Sequence, residues 1–256
     1  MKANWKYKKR INILISKLVK FPFIAKLVTR IVYTFRYLLK RGNPAFSDYL
    51  CGIHVNSKRN YAYVSIPKVG TTTILRHLRK VDDTSLKQFK INLDELEKSK
   101  LIDSNSFCFS VTRNPWARIY SCWFDKISGQ KRFCDFFIIS RYKNLYPGMP
   151  FREFLEWLQT EEGGDSFADR HWISQHVLLE NAKGKERFNF LGKIESFDED
   201  FTTILDFLKI EDKNFEKANS LSNSPSQSYR QFYDDYQKEL VAKRYSEDIA
   251  QFGYRF

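Results

Sequence analysis

The stretch "YVSIPKVGTTTILRHL", residues 63–78, passes from a β-branched and aromatic run through Pro-Lys-Val-Gly into three threonines and an apolar-spaced segment. A strand, a glycine turn and a helix start gather backbone N–H groups and a helix N-terminus around one point. That arrangement suits an anion such as a phosphate. Gly70 lets the backbone approach, Thr71, Thr72 and Thr73 add hydroxyls and helix N-terminal N–H groups, and Lys68 supplies a mobile positive charge. The usual nucleotide-triphosphate turn reads G-x-x-x-x-G-K-[ST], with lysine after the second glycine. Here Lys68 precedes Gly70, so the order is wrong for an ordinary ATPase while the physics still fits a phosphate. Taken alone, the string is also compatible with a plain turn entering a helix.

A second stretch narrows the reading: "FSVTRNPWARIYSCWFDKI", residues 109–127. The β-run ends at Arg113, Asn114 caps, and Pro115 opens a helix. Ser121 falls two turns in, on the face of Arg118 at i−3. Arg113 and Ser121 are then expected at the same end of the sheet as the first turn, where α/β folds bind ligands outside the strand carboxyl ends. Two anion sites side by side imply a ligand with two well-separated phosphates.

Around these stretches, β-rich runs at 61–66, 106–112 and 188–194 alternate with helical patterns at 71–81, 115–127, 151–160, 169–180, 198–209 and 231–249. Ser196 is the expected cap of the fifth helix. The alternation predicts an α/β fold with a central parallel sheet. Residues 128–150 and 219–228 read as loops and 82–104 as polar helix or loop.

The 256 residues carry a formal charge of +13, but residues 1–41 hold 12 of the 43 Lys/Arg and no Asp/Glu, leaving 31 basic against 30 acidic residues elsewhere. A nucleic-acid-binding fold would spread its cations over a folded face, so no nucleic-acid partner is expected. In "FIAKLVTRIVYTFRYLLK", residues 23–40, Ile24, Leu27, Val28, Ile31, Val32, Phe35, Leu38 and Leu39 share one helical side. Lys26, Arg30, Tyr33, Arg36, Tyr37 and Lys40 share the other. Lys26, Arg30 and Arg36 would each cost about 2.5–3.5 kcal/mol near a bilayer centre, so the helix is amphipathic rather than spanning. Two readings stay open for it: a core helix with a wet basic face, or docking on an anionic membrane surface. The apolar stretch is interrupted by charge and lacks a small-residue cleavage site, so no secretory leader is read and a cytoplasmic location is expected, peripheral at the inner membrane face if the helix docks. Cys51, Cys108, Cys122 and Cys134 form no C-x-x-C pair and are read as reduced thiols. His54, His77, His171 and His176 show no zinc spacing, and no metal is expected.

In order and spacing, the PKxGTT-type turn and the R-N-P-x-x-R-x-x-S pattern resemble those of the sulfotransferases, in particular the family-2 type carbohydrate sulfotransferases. "DRHWISQHVLL" with "FNFLGKIESFDEDF" (169–201) and "YSEDIAQFGYRF" (245–256) extend the likeness to roughly residues 50–256. The resemblance implies a P-loop-like three-layer α/β sandwich and the donor PAPS (3′-phosphoadenosine 5′-phosphosulfate). Lys68, Gly70, Thr71, Thr72 and Thr73 would hold its 5′-phosphosulfate, and Arg113 and Ser121 its 3′-phosphate. The implied acceptor is a hydroxyl of a carbohydrate or lipid-linked glycan. Residues 1–45 fall outside the likeness and read as a basic appendage to a domain at 46–256. Animal members carry a membrane anchor and often a cysteine pair, neither of which is read here, so a soluble microbial member is expected.

Sulfuryl transfer, like phosphoryl transfer, needs positioning and charge neutralisation on the leaving phosphate, a role that falls to Lys68. The acceptor hydroxyl needs a base. His171 is the first candidate, weighed against a structural histidine paired with Asp169 or Glu195, and Asp125 is the alternative. The rival readings are a nucleotide-dependent kinase using the same turn, and an inactive membrane-associated binding protein.

Overall fold

The structure is a computed structural model that describes residues 21–40, 52–82, 86–130, 135–183, 187–214 and 228–256. Along the chain run α1 (Pro22–Lys40), β1 (Gly52–Asn56), β2 (Tyr61–Ser65), α2 (Thr71–Asp82), β3 (Lys87–Phe89), α3 (Leu93–Lys98), β4 (Phe107–Thr112) and α4 (Pro115–Cys122). Then follow α5 (Phe136–Ile139), α6 (Phe151–Trp157), α7 (Gln175–Lys183), β5 (Phe190–Lys193), α8 (Phe197–Phe207), α9 (Asp235–Arg244) and α10 (Ser246–Phe252). They group into a sheet unit (Asp48–Arg118, Ile173–Phe232, Glu247–Phe256) and a helical unit (Met1–Ser47, Ile119–Trp172, Tyr233–Ser246).

The sheet unit is built on one mixed five-stranded sheet in the order β3-β1-β2-β4-β5. β2 pairs with β4, and β4 with β5, in parallel. β1 pairs antiparallel to both β2 and β3. The expected all-parallel sheet is therefore corrected to a parallel half extended by two antiparallel strands. A short link makes the difference: the Asn56 side chain accepts from Lys58 N and Arg59 N, and Asn60 takes φ 53, folding β1 back on β2 in a tight turn. β2 and β4 are apolar on both faces and almost wholly buried, as inner parallel strands must be. The Ser110 hydroxyl, buried in mid-strand of β4, donates to Val64 O at 2.7 Å. On the helices, His77 of α2 packs edge-on against Phe201 of α8 and bonds Asp212 O. On α3, Glu97 pairs with Arg187 at 2.7 Å. Cys108 and Cys122 are buried, and burial pushes the Cys108 thiol up to about 11, so it stays protonated.

The helical unit is packed by aromatics. Trp172 is fully buried, edge-on to Tyr142 at 5.0 Å and to Trp157 at 5.8 Å. The indole N–H groups of Trp123 and Trp157 donate to Met149 O and Lys143 O. α1 belongs to this unit: Lys26 pairs with Glu153 at 3.3 Å and lies over the Tyr146 ring, and Tyr33 donates to Glu162 at 3.5 Å.

Helix boundaries also differ from the sequence expectation. The helix expected over 115–127 is α-helical only to Cys122 and continues as a π-helical turn, Trp123–Ile127. The helix expected over 169–180 starts instead at Gln175, because its cap is a carboxylate remote in sequence, described below. The helix expected over 231–249 breaks at Tyr245, where φ −119 and ψ 30 leave the helical region and separate α9 from α10. Ser196, expected to cap α8, makes no capping bond; its hydroxyl donates to Asp200 instead.

Candidate active site

In the sheet unit, β2 ends in the turn 66–70 and α2 begins at Thr71. The turn takes left-handed backbone at two positions, Lys68 (φ 75) and Gly70 (φ 81). Glycine adopts this freely, whereas a lysine there costs about 1–2 kcal/mol, so something must hold it. Two arginines do: Arg113 Nη1 donates to Lys68 O at 2.9 Å, and Arg118 Nε donates to Pro67 O at 3.3 Å. A trans peptide points its C=O and N–H in opposite directions. Holding those two carbonyls on the arginine side therefore turns the N–H groups of Lys68 and Val69 away from it.

Gly70 O accepts from Thr73 N (2.9 Å) and Ile74 N (3.2 Å), which makes Gly70 the helix cap. The N–H groups of Thr71 and Thr72 precede the first intrahelical bond and face out of the α2 terminus. The threonines divide their work. Thr71 donates its hydroxyl to Ile66 O at 2.6 Å, closing the turn; Thr72 is exposed; Thr73 is buried. Of the three hydroxyls, that of Thr72 is the one presented to solvent.

Arg113 is held by its own main chain. The buried Gln175 side chain bridges it, accepting from Arg113 N at 2.9 Å and donating to Arg113 O at 2.8 Å. Gln175 is set in turn by Asp248, fully buried, whose carboxylate accepts from Gln175 N, His176 N and His176 Nδ1 at 2.8, 2.9 and 2.8 Å. Asp248 is thus the cap of α7. Next along the chain, Asn114 accepts from Trp116 N to cap α4, donates from Nδ2 to Arg255 O, and gives its N–H to Glu195 at 2.8 Å. The C-terminal Tyr254 bonds Thr112 Oγ1 at 2.8 Å and also meets Glu195. Neither Gln175 nor Asp248 was singled out in the sequence reading, although both lie in the stretches "HWISQHVLL" and "YSEDIAQFGYRF".

Electrostatically the cluster favours an anion. Burial pulls the Arg113 guanidinium below its usual value, Glu195 and the phenols of Tyr229 and Tyr254 partly oppose this, and Arg118 adds to it. Burial also pushes Glu195 up, against the pull of the Asn114 N–H and Arg113. An anion beside Arg113 would relieve the cost of its burial. Among the described residues, Arg113 makes no side-chain bond beyond that to Lys68 O, so its remaining donors are available for a ligand.

Ser121 and His171 belong to the helical unit. Ser121 lies near the end of α4, half-buried, and its hydroxyl has no partner among the described residues. His171 sits in a turn rather than on the helix expected there. Asp169 Oδ1 accepts from His171 N at 3.0 Å and lies 2.5 Å from Nδ1. With a carboxylate accepting at Nδ1, the ring proton is there and Nε2 is left as the acceptor. Burial holds the His171 imidazole below its usual value; the Asp169 carboxylate pulls the other way without overcoming it, so the ring is neutral at pH 7. Asp125, the alternative base, is 3.6 Å from Lys126 Nζ.

Compared with models of known families, the chain matches the one described as the sulfotransferase family over residues 52–255. The chain belongs to the sulfotransferase family. The match covers both stretches expected to bind anions and all of the sheet, so the matched region contains the turn, Arg113 and the Gln175–Asp248 brace. No curated protein and no solved structure matches it. As a member of this family the chain is an enzyme of sulfuryl transfer.

Proposed function

We propose that this sulfotransferase moves the sulfuryl group of PAPS to a hydroxyl of a carbohydrate or lipid-linked glycan. The observation that carries the donor assignment is the bond from Arg113 Nη1 to Lys68 O, which joins the two expected anion-binding segments within one unit. A donor with separate 5′- and 3′-phosphates matches that pairing, and ATP, which lacks the second, does not. The carbohydrate acceptor is supported by the resemblance to the family-2 type enzymes.

The turn N–H groups and the α2 terminus receive the 5′-phosphosulfate, with Gly70, Thr71, Thr72 and Thr73 shaping the cradle. Arg113 takes the 3′-phosphate through charge-assisted bonds, and the resemblance gives Ser121 a part in the same role. His171 Nε2 accepts the proton of the acceptor hydroxyl as the hydroxyl oxygen forms its bond to sulfur. The sulfur–oxygen bond to the 5′-phosphate breaks, and Lys68 neutralises the charge that appears there. The products are a sulfate ester and 3′,5′-ADP. Asp169 orients the base.

Calorimetry with 3′,5′-ADP, ADP and ATP tests the donor. Clear preference for 3′,5′-ADP supports the proposal, and equal or better binding of ATP would return the turn to the kinase reading. Transfer of a labelled sulfuryl group to polysaccharides but not to small phenols tests the acceptor class.

A further inference from the structure

Helix α1 meets its unit with a narrow strip and turns its apolar side outward. Ala25 (1% exposed) and Thr29 (2%) form the buried strip, with Val28, Val32 and Tyr33 half-buried beside it. Phe23, Ile24, Leu27, Ile31, Phe35 and Leu38 are all exposed, from 42% at Ile24 to 80% at Phe23. At 100° per residue these six occupy one continuous face. The core-helix reading of the sequence is thereby reversed. The side expected to pack is the side left bare, and Lys26 and Tyr33, from the side expected to be wet, hold the helix to Glu153, Tyr146 and Glu162.

We infer that this face is a docking surface for a lipid bilayer containing anionic headgroups. Six large apolar side chains exposed on one helix are what an interfacial helix inserts between lipids, with phenylalanines at the boundary. The surrounding sequence selects the partner by charge: residues 1–41 carry 12 Lys/Arg and no Asp/Glu. Such a segment is drawn to an anionic surface. A second copy of the chain would bring the same cations to the same place and be repelled. Among the described residues, no helix is long and apolar enough to cross a membrane, so α1 lies along the surface rather than through it. The inference is independent of the donor and acceptor proposed above.

The test is co-sedimentation of the full chain with vesicles of phosphatidylcholine alone or mixed with phosphatidylglycerol, for the wild type and a Leu27→Gln, Ile31→Gln, Phe35→Gln triple variant. The altered side chains are exposed, so an unchanged thermal melt confirms that the variant folds. The expected result is binding to the mixed vesicles, weakened by added salt and at least about tenfold weaker in the variant, with 3′,5′-ADP binding unchanged in both. Equal binding to both vesicle types, no binding to either, or binding unaffected by the triple substitution would overturn it. So would a wild-type dimer in lipid-free solution that the substitutions dissolve, because the face would then serve a second copy.

Discussion

Arg113 donates from Nη1 to the main-chain oxygen of Lys68 at 2.9 Å, so the side chain assigned to one phosphate also holds the turn assigned to the other. The bond fixes a lysine in a left-handed conformation, φ 75, that its own side chain disfavours. Donor affinity and turn geometry are therefore coupled through one guanidinium, and substitutions on the two sides of this bond should separate the functions.

Lys68→Ala removes the ammonium proposed to neutralise the leaving phosphate and leaves the backbone strained. Turnover should fall by about 100-fold or more while 3′,5′-ADP affinity changes only a few-fold. Lys68→Gly removes the same charge and relaxes the φ 75 position, so it should be equally inactive yet about 1 kcal/mol more stable than Lys68→Ala. Steady-state kinetics and urea unfolding of the pair check both halves. A Lys68→Ala enzyme with near-normal kcat would refute the assignment.

Arg113→Lys keeps a positive charge but loses the planar fork. Preference for 3′,5′-ADP over ADP should collapse by about 10–100-fold, the range of a lost charge-assisted hydrogen bond. Retained preference in calorimetry would mean that another group reads the 3′-phosphate.

The turn before Thr71 and the helix start at Pro115 were legible because their signals are local. Gly70 punctuates a turn, three threonines start a helix, and Asn114-Pro115 caps and opens another, all within a few residues. The brace was not, because Gln175 reaches Arg113 across 62 positions and Asp248 reaches Gln175 across 73, and no local pattern marks such pairs. β1 was missed because its five residues include His54 and Asn56 and end in a polar turn. For α1 the periodicity separated two faces correctly but carried no information on which of them the rest of the chain would cover. Small residues decided that: Ala25 and Thr29 allow the closest approach.

Asp248 is fully buried and accepts four hydrogen bonds from Gln175 and His176, two from each. Asp248→Ala leaves those donors unsatisfied and uncaps α7, which should cost about 3–5 kcal/mol by urea unfolding. Gln175→Ala keeps the main-chain cap and loses the bridge to Arg113 with one long side-chain bond to Asp248, so it should cost less stability and more donor affinity. If the two variants lost affinity in proportion to stability alone, Gln175 would have no positioning role.

For His171, the proposed base, the neutral ring is the active form, and burial holds its value below the usual one. Activity should therefore persist as pH falls past about 6.5 and decline only below it. In Asp169→Asn the carboxylate that raises the imidazole is gone, so the acid limb should move to still lower pH. The rate should also drop by about 100-fold as the ring loses its orientation. A pH profile of kcat for the two proteins decides it; an acid limb unmoved by the substitution would remove His171 from the mechanism.

His54 gives a stability prediction separate from catalysis. It lies on β1, 3% exposed and stacked on Tyr63 at 5.9 Å, and burial followed by the charge of Arg79 lowers its imidazole to about 4. In the unfolded chain the same ring takes up a proton below about 6.5. Between those values the unfolded state binds more protons than the folded one, so stability falls as pH drops from about 6.5 towards 4. This group's contribution to the loss reaches about 3 kcal/mol. His54→Phe keeps a ring against Tyr63 and has nothing to protonate. Its unfolding free energy should match the wild type at pH 7 within the cost of the substitution and decline about 2–3 kcal/mol less by pH 4.5. Parallel decline of the two proteins would show that His54 is protonated in the folded chain and that carboxylates elsewhere set the acid limit.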